Sequence, residues 1–377
     1  MYEMEDTMLN ARKKIACVVG TRPEAVKMAP LIVKLKEKEW ANVQVISTGQ
    51  HRDMLTQTFN AFGISVDKDL DIMTHAQTLA GSMSKALSKI DVALDDFAPE
   101  LVLAQGDTTT VAAAALCSFY RGIPFGHVEA GLRTGDIRNP FPEELNRIIA
   151  GQVASLHFSP TKRSADNLIA EGVPQEKIFI TGNTVIDALY NVPVVSCSIL
   201  ESVSRHERLI LVTAHRRENH GGPLENICMG VKMLHDHFPD ICFVIPVHPN
   251  PVVRETVTSA LAGCERINIV EPLDYVDLVN VMRRSFLILT DSGGIQEEAP
   301  ALSKPVLVLR DTTERPEAIE CGSAKLIGTN CENIFRETSA LLNSDKSYEA
   351  MAHGGSPYGD GFASERIAVA IKEFFNR

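Results

Sequence analysis

The sequence Phe286-Leu-Ile-Leu-Thr-Asp-Ser-Gly-Gly-Ile-Gln-Glu-Glu-Ala-Pro300 predicts a buried strand, a tight turn and a helix, in that order. Its first residues form a continuous apolar run, typical of a parallel strand covered on both faces. Adjacent glycines allow a ligand to approach closely and allow positive φ. The N–H groups of a helix start attract an anion such as phosphate. We interpret Ser292, Gly293 and Gly294 as a phosphate-binding turn; the alternative is an ordinary strand–helix turn with a serine cap.

Short apolar runs alternate with amphipathic stretches along all 377 residues, which predicts an α/β protein with parallel sheets. That length favours two domains. The first predicted strands are Ile15–Gly20, Val43–Thr48, Leu101–Gln105, Pro124–Glu129, Leu156–Ser159 and Phe179–Thr181. A second series comprises Leu209–Ala214, Cys242–Val247, Ile267–Val270, Phe286–Thr290, Pro305–Leu309 and Lys325–Ile327. Helices are predicted at Met28–Lys38 and Ala363–Phe375.

The irregular segment from Asn191 to Arg208 lies between the two series and is the predicted linker. We expect a disordered lead-in over residues 1–13, a first domain over 14–190 and a second over 208–363.

Bulk composition favours a soluble protein with small-molecule ligands. Hydrophobic residues make up 45% of the chain and charged residues 23%. The formal net charge of −11 argues against a nucleic-acid or anionic-membrane partner. The 8 cysteines are scattered without zinc spacing, which predicts free thiols in a reducing compartment and no metal site. An acidic N-terminus and the lack of a long apolar run lead us to expect a cytoplasmic location.

Polar side chains follow the predicted strands of the first series, where parallel sheets bind ligands. Arg22 and Lys27 follow the first strand as cations at the loop mouth, or alternatively as solvated charges beside a helix. Asp107 follows the third strand and is interpreted either as a base or as a helix cap.

Glu129 ends an apolar strand and should be partly buried, which favours a role or a cation such as Arg133. Glu143 follows a proline-rich loop at a predicted helix start. Together Asp107, Glu129 and Glu143 supply three carboxylates for proton transfer.

The second series has a cationic character at its strand ends. His215 is followed by two arginines, which suits diphosphate better than core packing. His248 follows the next strand, and Arg315 is predicted to contact phosphate.

Several ordered motifs extend from about Ile15 to near the end of the chain. They are Gly20-Thr-Arg-Pro-Glu-Ala25, Gln50-His-Arg52, Gly106-Asp-Thr-Thr-Thr110, His127-Val-Glu-Ala-Gly-Leu-Arg-Thr134, Thr181-Gly-Asn-Thr184, Thr213-Ala-His-Arg-Arg-Glu-Asn219, Asp291-Ser-Gly-Gly-Ile-Gln-Glu-Glu-Ala-Pro300 and Arg310-Asp-Thr-Thr-Glu-Arg-Pro-Glu317. In these motifs the chain resembles the bacterial non-hydrolysing UDP-N-acetylglucosamine 2-epimerases.

The resemblance implies a glycosyltransferase-B-like fold of two Rossmann-like, doubly wound parallel-sheet domains with an interdomain cleft. It also implies that a final helix over residues 364–377 packs back on the first domain.

The implied activity is reversible epimerisation at C2 of UDP-GlcNAc to UDP-ManNAc. UDP leaves to give enzyme-held 2-acetamidoglucal and then adds back, without a cofactor. The implied partners are UDP-GlcNAc, UDP-ManNAc, UDP and a second copy of the chain, and the product would supply ManNAc units for surface polysaccharide.

The resemblance also implies roles for individual residues. The implied diphosphate ligands are Arg22, His215, the Ser292–Gly294 turn and Arg315, and the implied ribose ligand is Glu298. Lys27 resembles a family site residue, and the implied catalytic set is Asp107, Glu129, Glu143 and His215.

Two further regions resemble family sites with departures from the family pattern. The uracil loop would include Leu273 and Leu278, and Leu278 stands where some members carry Phe. A second, activating UDP-GlcNAc site would use Gln50, Gln77, Glu143, Arg216 and His248, but Ala76 replaces an Arg found in some members.

Four alternatives stay open at this point. The chain could be a sibling epimerase of a UDP-2,3-diacetamido-uronic acid, which would want an additional cation near the sugar. It could also be a glycosyltransferase of the same fold, a UDP-sugar sensor, or a hydrolysing epimerase that releases free ManNAc.

Overall fold

The computed structural model describes residues 12–49, 52–73, 77–203, 208–216, 219–248 and 250–377. The chain divides into two compact units, one of Met1–Asn191 with Gly359–Arg377 and one of Val192–Tyr358. Among the described residues, no helix combines the length and apolar character needed to cross a membrane. All cysteines in the described residues are free thiols, and those expected within apolar runs (Cys17, Cys117 and Cys242) are buried.

The first unit contains a parallel sheet in the order β3-β2-β1-β4-β5-β6-β7. Its strands are β1 (Lys13–Val19), β2 (Ala41–Ser47), β3 (Lys68–Asp69), β4 (Leu101–Gln105), β5 (Phe125–Val128), β6 (Leu156–Ser159) and β7 (Ile178–Ile180). Its helices include α1 (Arg22–Lys36), α2 (Arg52–Ala61), α3 (Leu79–Phe97), α4 (Thr109–Tyr120), α5 (Glu143–Val153), α6 (Lys162–Ala170) and α7 (Thr184–Asn191).

Both faces of this sheet are covered. On β1, Ile15, Cys17 and Val19 belong to one hydrophobic cluster. Ala16 and Val18, which point to the opposite face, belong to another. Burial on both faces explains why the strand is a continuous apolar run rather than an alternating one.

The second unit contains a parallel sheet in the order β10-β9-β8-β11-β12-β13. Its strands are β8 (Arg208–Thr213), β9 (Ile241–Pro246), β10 (Ile267–Val270), β11 (Leu287–Thr290), β12 (Val306–Val308) and β13 (Ala324–Leu326). Its helices include α8 (Ser198–Ser202), α9 (Gly222–His237), α10 (Pro251–Ala260), α11 (Tyr275–Arg284), α12 (Gly293–Ala301), α13 (Pro316–Glu320), α14 (Cys331–Leu342) and α15 (Asp345–Ala352).

The order of each sheet reverses once, between β1 and β4 in the first unit and between β8 and β11 in the second. The chain winds outward in opposite directions from these pairs, which leaves a crevice beyond their carboxyl ends. The predicted fold class of two parallel-sheet α/β domains is confirmed, and the reversal gives each unit a defined place for ligand binding.

The final helix α16 (Ala363–Phe375) belongs to the first unit. Asp187 lies in α7, the last helix before the chain enters the second unit. Its carboxylate accepts hydrogen bonds from the backbone N–H groups of Ala363 (3.1 Å) and Ser364 (2.7 Å). These bonds satisfy N–H groups that a helix start leaves unpaired. They also explain why residues 359–363, expected in the second domain, group with the first unit.

Two expectations at element boundaries differ from the structure. Lys13, expected in a disordered lead-in, opens β1 because its N–H donates to the Trp40 carbonyl at 2.7 Å; residues 1–11 of that lead-in lie outside the described residues. The expected linker contains α8, and the two-residue strand β3 was not predicted because it has no apolar run.

Candidate active site

Glu129 follows β5 and is 9% exposed. Its φ of 65° lies in the left-handed region, which a glutamate adopts only when its surroundings hold it there. The next backbone N–H, that of Ala130, donates to the Phe158 carbonyl at 3.0 Å. The strained backbone turns the side chain out of the strand direction at the edge where parallel sheets bind ligands.

Three donors surround the Glu129 carboxylate. Lys27 from α1 and Gln105 from the end of β4 both make short contacts with it, and Asn183 Nδ2 donates at 2.8 Å. The expected cation, Arg133, instead pairs with Glu171 at 2.6 Å. The cation is therefore Lys27, and its interpretation as a solvated charge is wrong.

Asp107 follows β4 and is not the cap of the next helix. Thr108 takes that position, accepting from the Val111 N–H, so the helix-cap alternative is excluded. Instead, Asp107 Oδ2 accepts from Arg147 Nε at 3.0 Å and Nη2 at 2.6 Å. Its side chain remains 28% exposed, which leaves the carboxylate accessible to a ligand.

The two glutamates that open α5 differ in their surroundings. Glu144 is buried and accepts from the Thr134 N–H at 2.9 Å and from Arg147 at 2.8 Å. Glu143 is half-buried, and its side chain makes no hydrogen bond or ion pair with any residue that the structure describes. Glu144 therefore anchors the preceding loop, whereas the carboxylate of Glu143 is not held by a described neighbour.

The loop after β1 is tightly packed. A side chain on Gly20 would come within 2.3 Å of Thr110 Oγ1, so only glycine fits. Thr21 and Glu24 form a capping box that starts α1 earlier than predicted, at Arg22, which is half-buried. Burial raises the pKa of the Glu24 carboxyl to about 7.

His127, two residues before Glu129, is buried and contacts the Gly106 carbonyl through Nε2 at 2.8 Å. Burial lowers its pKa to about 4. The imidazole is therefore neutral near neutral pH, with Nε2 donating the hydrogen bond. The hydrogen bond from His127 to the Gly106 carbonyl supports the backbone beside Asp107, and it was not predicted from the sequence. A histidine inside an apolar strand was the feature that could have indicated it.

In the second unit, Ser292 precedes α12 and makes no side-chain cap. Gly293 and Gly294 open that helix with φ outside the left-handed region, so the positive φ that glycine allows is not used here. The missing side chains let neighbouring groups lie close to the start of the helix. A Cβ on Gly293 would lie 3.5 Å from Arg216 Nη2, so a guanidinium stands beside these amides.

Asp291 connects this turn to the loop after β8. Its Oδ2 accepts from the backbone N–H groups of His215 and Arg216, each at 2.9 Å. Asn219 Nδ2 donates to the same oxygen at 2.9 Å. Asp291 is fully buried and was missed as a candidate, although it directly follows the strand from which the site was predicted.

His215 lies beside this carboxylate with 45% of its side chain exposed. Desolvation lowers its pKa, an effect that Asp291 opposes and that Arg216 and His248 reinforce. His215, Arg216 and His248 therefore lie close enough to one another to interact electrostatically.

Arg315 and Glu298 are each held by a buried neighbour. Arg315 Nε pairs with Glu297, and the Arg315 side chain is 13% exposed. Glu298 Oε2 accepts from the Tyr275 hydroxyl at 3.0 Å. Tyr275 is buried, so its ring is not open for stacking on a base.

The remaining candidates are distributed over both units. Leu273 and Leu278 are half-buried, and His248 is exposed with Nδ1 accepting from the Asn250 N–H at 3.1 Å. Gln77, in the first unit, donates to the Ile72 carbonyl at 3.0 Å. Gln50 lies outside the described residues.

The comparisons with known proteins decide the family. The model of the family described as UDP-N-acetylglucosamine 2-epimerase matches residues 33–372. The chain belongs to this family. A UDP-N-acetylglucosamine 2-epimerase of Bacillus subtilis is 50% identical, and the match covers 95% of this chain and 94% of that one.

Solved structures of family members share the fold. The S. aureus MnaA–UDP structure has a TM-score of 0.90 and 44% identity, covering 97% of each chain. The Neisseria meningitidis UDP-GlcNAc 2-epimerase bound to UDP-GlcNAc has a TM-score of 0.88 and 42% identity, covering 97% of this chain and 100% of that one. The resemblance to non-hydrolysing 2-epimerases and the glycosyltransferase-B-like fold class are confirmed, and the chain is an epimerase-family enzyme.

The described residues contain no group of three or more His, Cys, Asp or Glu side chains suited to holding a metal ion.

Replacing His127 tests its burial as a neutral group. The folded pKa of about 4 lies below the ordinary 6.5, so the unfolded chain binds more protons between these values. The stabilisation is complete above pH 6.5 and is lost as pH falls toward 4. His127→Gln keeps a donor for the Gly106 carbonyl. As pH falls from 6.5 toward 4, its free energy of unfolding should decrease less steeply than that of the wild type, by up to about 1.4 kcal/mol per pH unit.

The measurement is urea unfolding of both proteins across this pH range. Glu24 titrates in the same window with the opposite sign, but it is common to both proteins and cancels in the difference. Equal slopes would contradict the burial of a neutral His127.

Proposed function

We propose that this enzyme interconverts UDP-GlcNAc and UDP-ManNAc by eliminating UDP and adding it back to enzyme-held 2-acetamidoglucal. The observation that carries the proposal is that this family member has two clusters of charged side chains, one in each unit. The second unit has the Arg216 guanidinium beside a helix N-terminus, and the first unit has carboxylates paired with Lys27 and Arg147.

The proposed diphosphate ligands in the second unit are the α12 amides at Ser292–Gly294, with His215 and Arg315. Arg216 is added to this group because its guanidinium stands over Gly293. Helix N-terminal amides and guanidinium groups both favour phosphate oxygens. Glu298, buried and bonded to Tyr275, is the proposed ribose ligand, with Leu273 and Leu278 beside the uracil.

In the first unit, the proposed acid–base groups are Asp107, Glu129 and Glu143, with Arg22 and Lys27 as cations beside them. Glu129 is restrained by Lys27, Gln105 and Asn183, whereas Glu143 is not restrained by a described neighbour. A restrained and an adjustable carboxylate suit removal and return of a proton on opposite sugar faces.

The order of events follows from the acidity of the sugar. A C2 hydrogen of this kind is scarcely acidic, so stabilising the departing diphosphate must supply much of the activation. Fixed donors supply that stabilisation without reorganising during the reaction. Return of UDP after reprotonation on the other face completes the inversion.

The described cations disfavour the sibling uronic-acid epimerase. Lys27 pairs with Glu129, while Arg147 pairs with Asp107 and Glu144. A sugar carboxylate would need a further cation beside these pairs, because leaving a buried charge uncompensated is costly, and the family resemblance assigns Arg22 to the diphosphate.

The wider setting is proposed from the family resemblance. The enzyme works in the cytoplasm as a homodimer and supplies ManNAc units for surface polysaccharide. The activating UDP-GlcNAc site that the resemblance implies, with Gln50, Gln77, Glu143, Arg216 and His248, belongs to the same proposal.

Incubation with UDP-GlcNAc in deuterium oxide, followed by NMR, tests the proposed reaction. We expect UDP-ManNAc carrying deuterium at C2, with free 2-acetamidoglucal and UDP appearing slowly. Glu129→Gln should slow deuterium incorporation by about 10²- to 10⁴-fold, the range typical of losing an acid–base group.

Glu100→Gln is the matched control. Glu100 also pairs with a lysine, at 2.7 Å from Lys13 Nζ, but it precedes β4 and so lies at the opposite edge of the sheet. Its turnover should match the wild type. Epimerisation with the original hydrogen retained would contradict the mechanism, and free ManNAc as the main product would indicate a hydrolysing enzyme.

Gly293→Ala tests the diphosphate position. The added methyl meets Arg216 at an ordinary contact distance, so the fold should persist, with an unfolding temperature no lower than that of the wild type. Because the methyl occupies the space over the helix amides, UDP affinity should fall by about tenfold or more, or about 1.4 kcal/mol. Isothermal titration calorimetry with UDP gives this value.

Uridine supplies the control ligand for Gly293→Ala because it has no phosphate. Its affinity should be the same in the variant and the wild type. Equal loss for uridine and UDP would show that the substitution disturbs the base rather than the diphosphate, which would contradict the assignment.

A further inference from the structure

The two oxygens of the Asp291 carboxylate have different surroundings. Oδ2 accepts three N–H groups, from the His215 and Arg216 backbones and the Asn219 side chain. Oδ1 is buried and has no hydrogen-bond partner in the part of the chain that the structure describes. His215 Nδ1 stands 3.4 Å from Oδ1, close enough for a small ring rotation to form a hydrogen bond.

The saturated Oδ2 leaves Oδ1 as the acceptor for the imidazole. An ionised carboxylate can only accept, so it favours the tautomer with hydrogen on Nδ1 and leaves Nε2 without one. The carboxylate cannot turn to present its other oxygen without breaking three bonds. Asp291 therefore selects one tautomer of His215 in the unliganded protein.

The charges around His215 oppose its protonation until an anion arrives. Asp291 from the end of β11 favours the imidazolium, while Arg216 in the same loop and His248 after β9 disfavour it. Desolvation also lowers the pKa of His215, so the ring is neutral at neutral pH. A nucleoside diphosphate beside Gly293 would offset the positive charge of Arg216 and favour the charged ring.

We propose that Asp291 is a positioning residue that enables His215 to take up one proton when a nucleoside diphosphate binds. This inference rests on the proposed diphosphate position in the second unit. The proton comes from solvent and bonds to Nε2, and no bond in the nucleotide breaks. In the resulting imidazolium, Nδ1–H donates to Asp291 Oδ1 and Nε2–H donates to a phosphate oxygen. When the bound nucleotide is the UDP-sugar, the same hydrogen bond makes its UDP group a better leaving group.

Proton uptake is measured by titrating the protein with UDP calorimetrically at neutral pH in two buffers of different ionisation enthalpy. The terminal phosphate of UDP also titrates near this pH, so His215→Gln supplies the baseline. The wild type should take up more protons per UDP than His215→Gln does, by up to one. In Asp291→Asn, uptake should return to that baseline although UDP still binds.

Asp291→Asn is the sharpest variant because its amide oxygen can keep the three bonds of Oδ2. Only the group that faces His215 Nδ1 changes, from an acceptor to a donor. A merely structural role would lower stability or affinity without changing the number of protons. If Asp291→Asn binds UDP with wild-type proton uptake, the inference is overturned.

Nitrogen NMR of the histidine-labelled wild type gives a second measurement that does not depend on the folding of Asp291→Asn. The His215 signals are assigned by their loss in His215→Gln. Without UDP they should show the neutral tautomer with hydrogen on Nδ1, and with UDP bound they should show both nitrogens protonated. A ring that stays neutral with UDP overturns this inference but leaves the proposed function standing. Failure of the wild type to bind UDP overturns both.

Discussion

The reversal of strand order in each sheet is the constraint on which the candidate site depends. At β8 and β11 the chain winds away in opposite directions, so the loops after these strands lie side by side. The Thr213 and Thr290 hydroxyls meet there at 2.6 Å, and Thr48 and Thr110 meet at 2.9 Å in the first unit. Chain segments that follow these strands supply Arg22, Asp107, His215 and Asp291, whereas Glu129, His248 and Arg315 follow other strands of the same sheets.

Buried carboxylates hold these loops in place. Glu129 joins α1, β4 and the segment before α7, while Asp291 joins the loop after β8 to the start of α12. Breaking a buried pair of this kind typically costs about 3–5 kcal/mol, because the remaining charge is uncompensated. The same contacts therefore stabilise each unit and orient the cations and carboxylates of the candidate site.

The sequence predicted most of the sheet because buried parallel strands are continuous apolar runs, and Leu101–Gln105 has its predicted bounds. It did not predict partner choice. Thr108 rather than Asp107 caps α4, and this depends on side-chain direction, which the sequence does not give. Lys27 rather than Arg133 pairs with Glu129, and the sequence did not predict this because Lys27 and Glu129 are distant in sequence. Asp291 was missed for the same reason: its donors lie more than seventy positions earlier in the chain.

If departure of UDP carries the activation, the sugar–phosphate bond must break reversibly while the diphosphate remains bound. UDP-GlcNAc carrying heavy oxygen at the atom that joins C1 to the β-phosphate reports this directly, because rotation of the released phosphate exchanges its oxygens. We predict that recovered UDP-GlcNAc shows the label in the non-bridging β-phosphate positions at a rate comparable to deuterium entry at C2. Deuterium entry with the label still wholly in the bridge would contradict elimination of UDP.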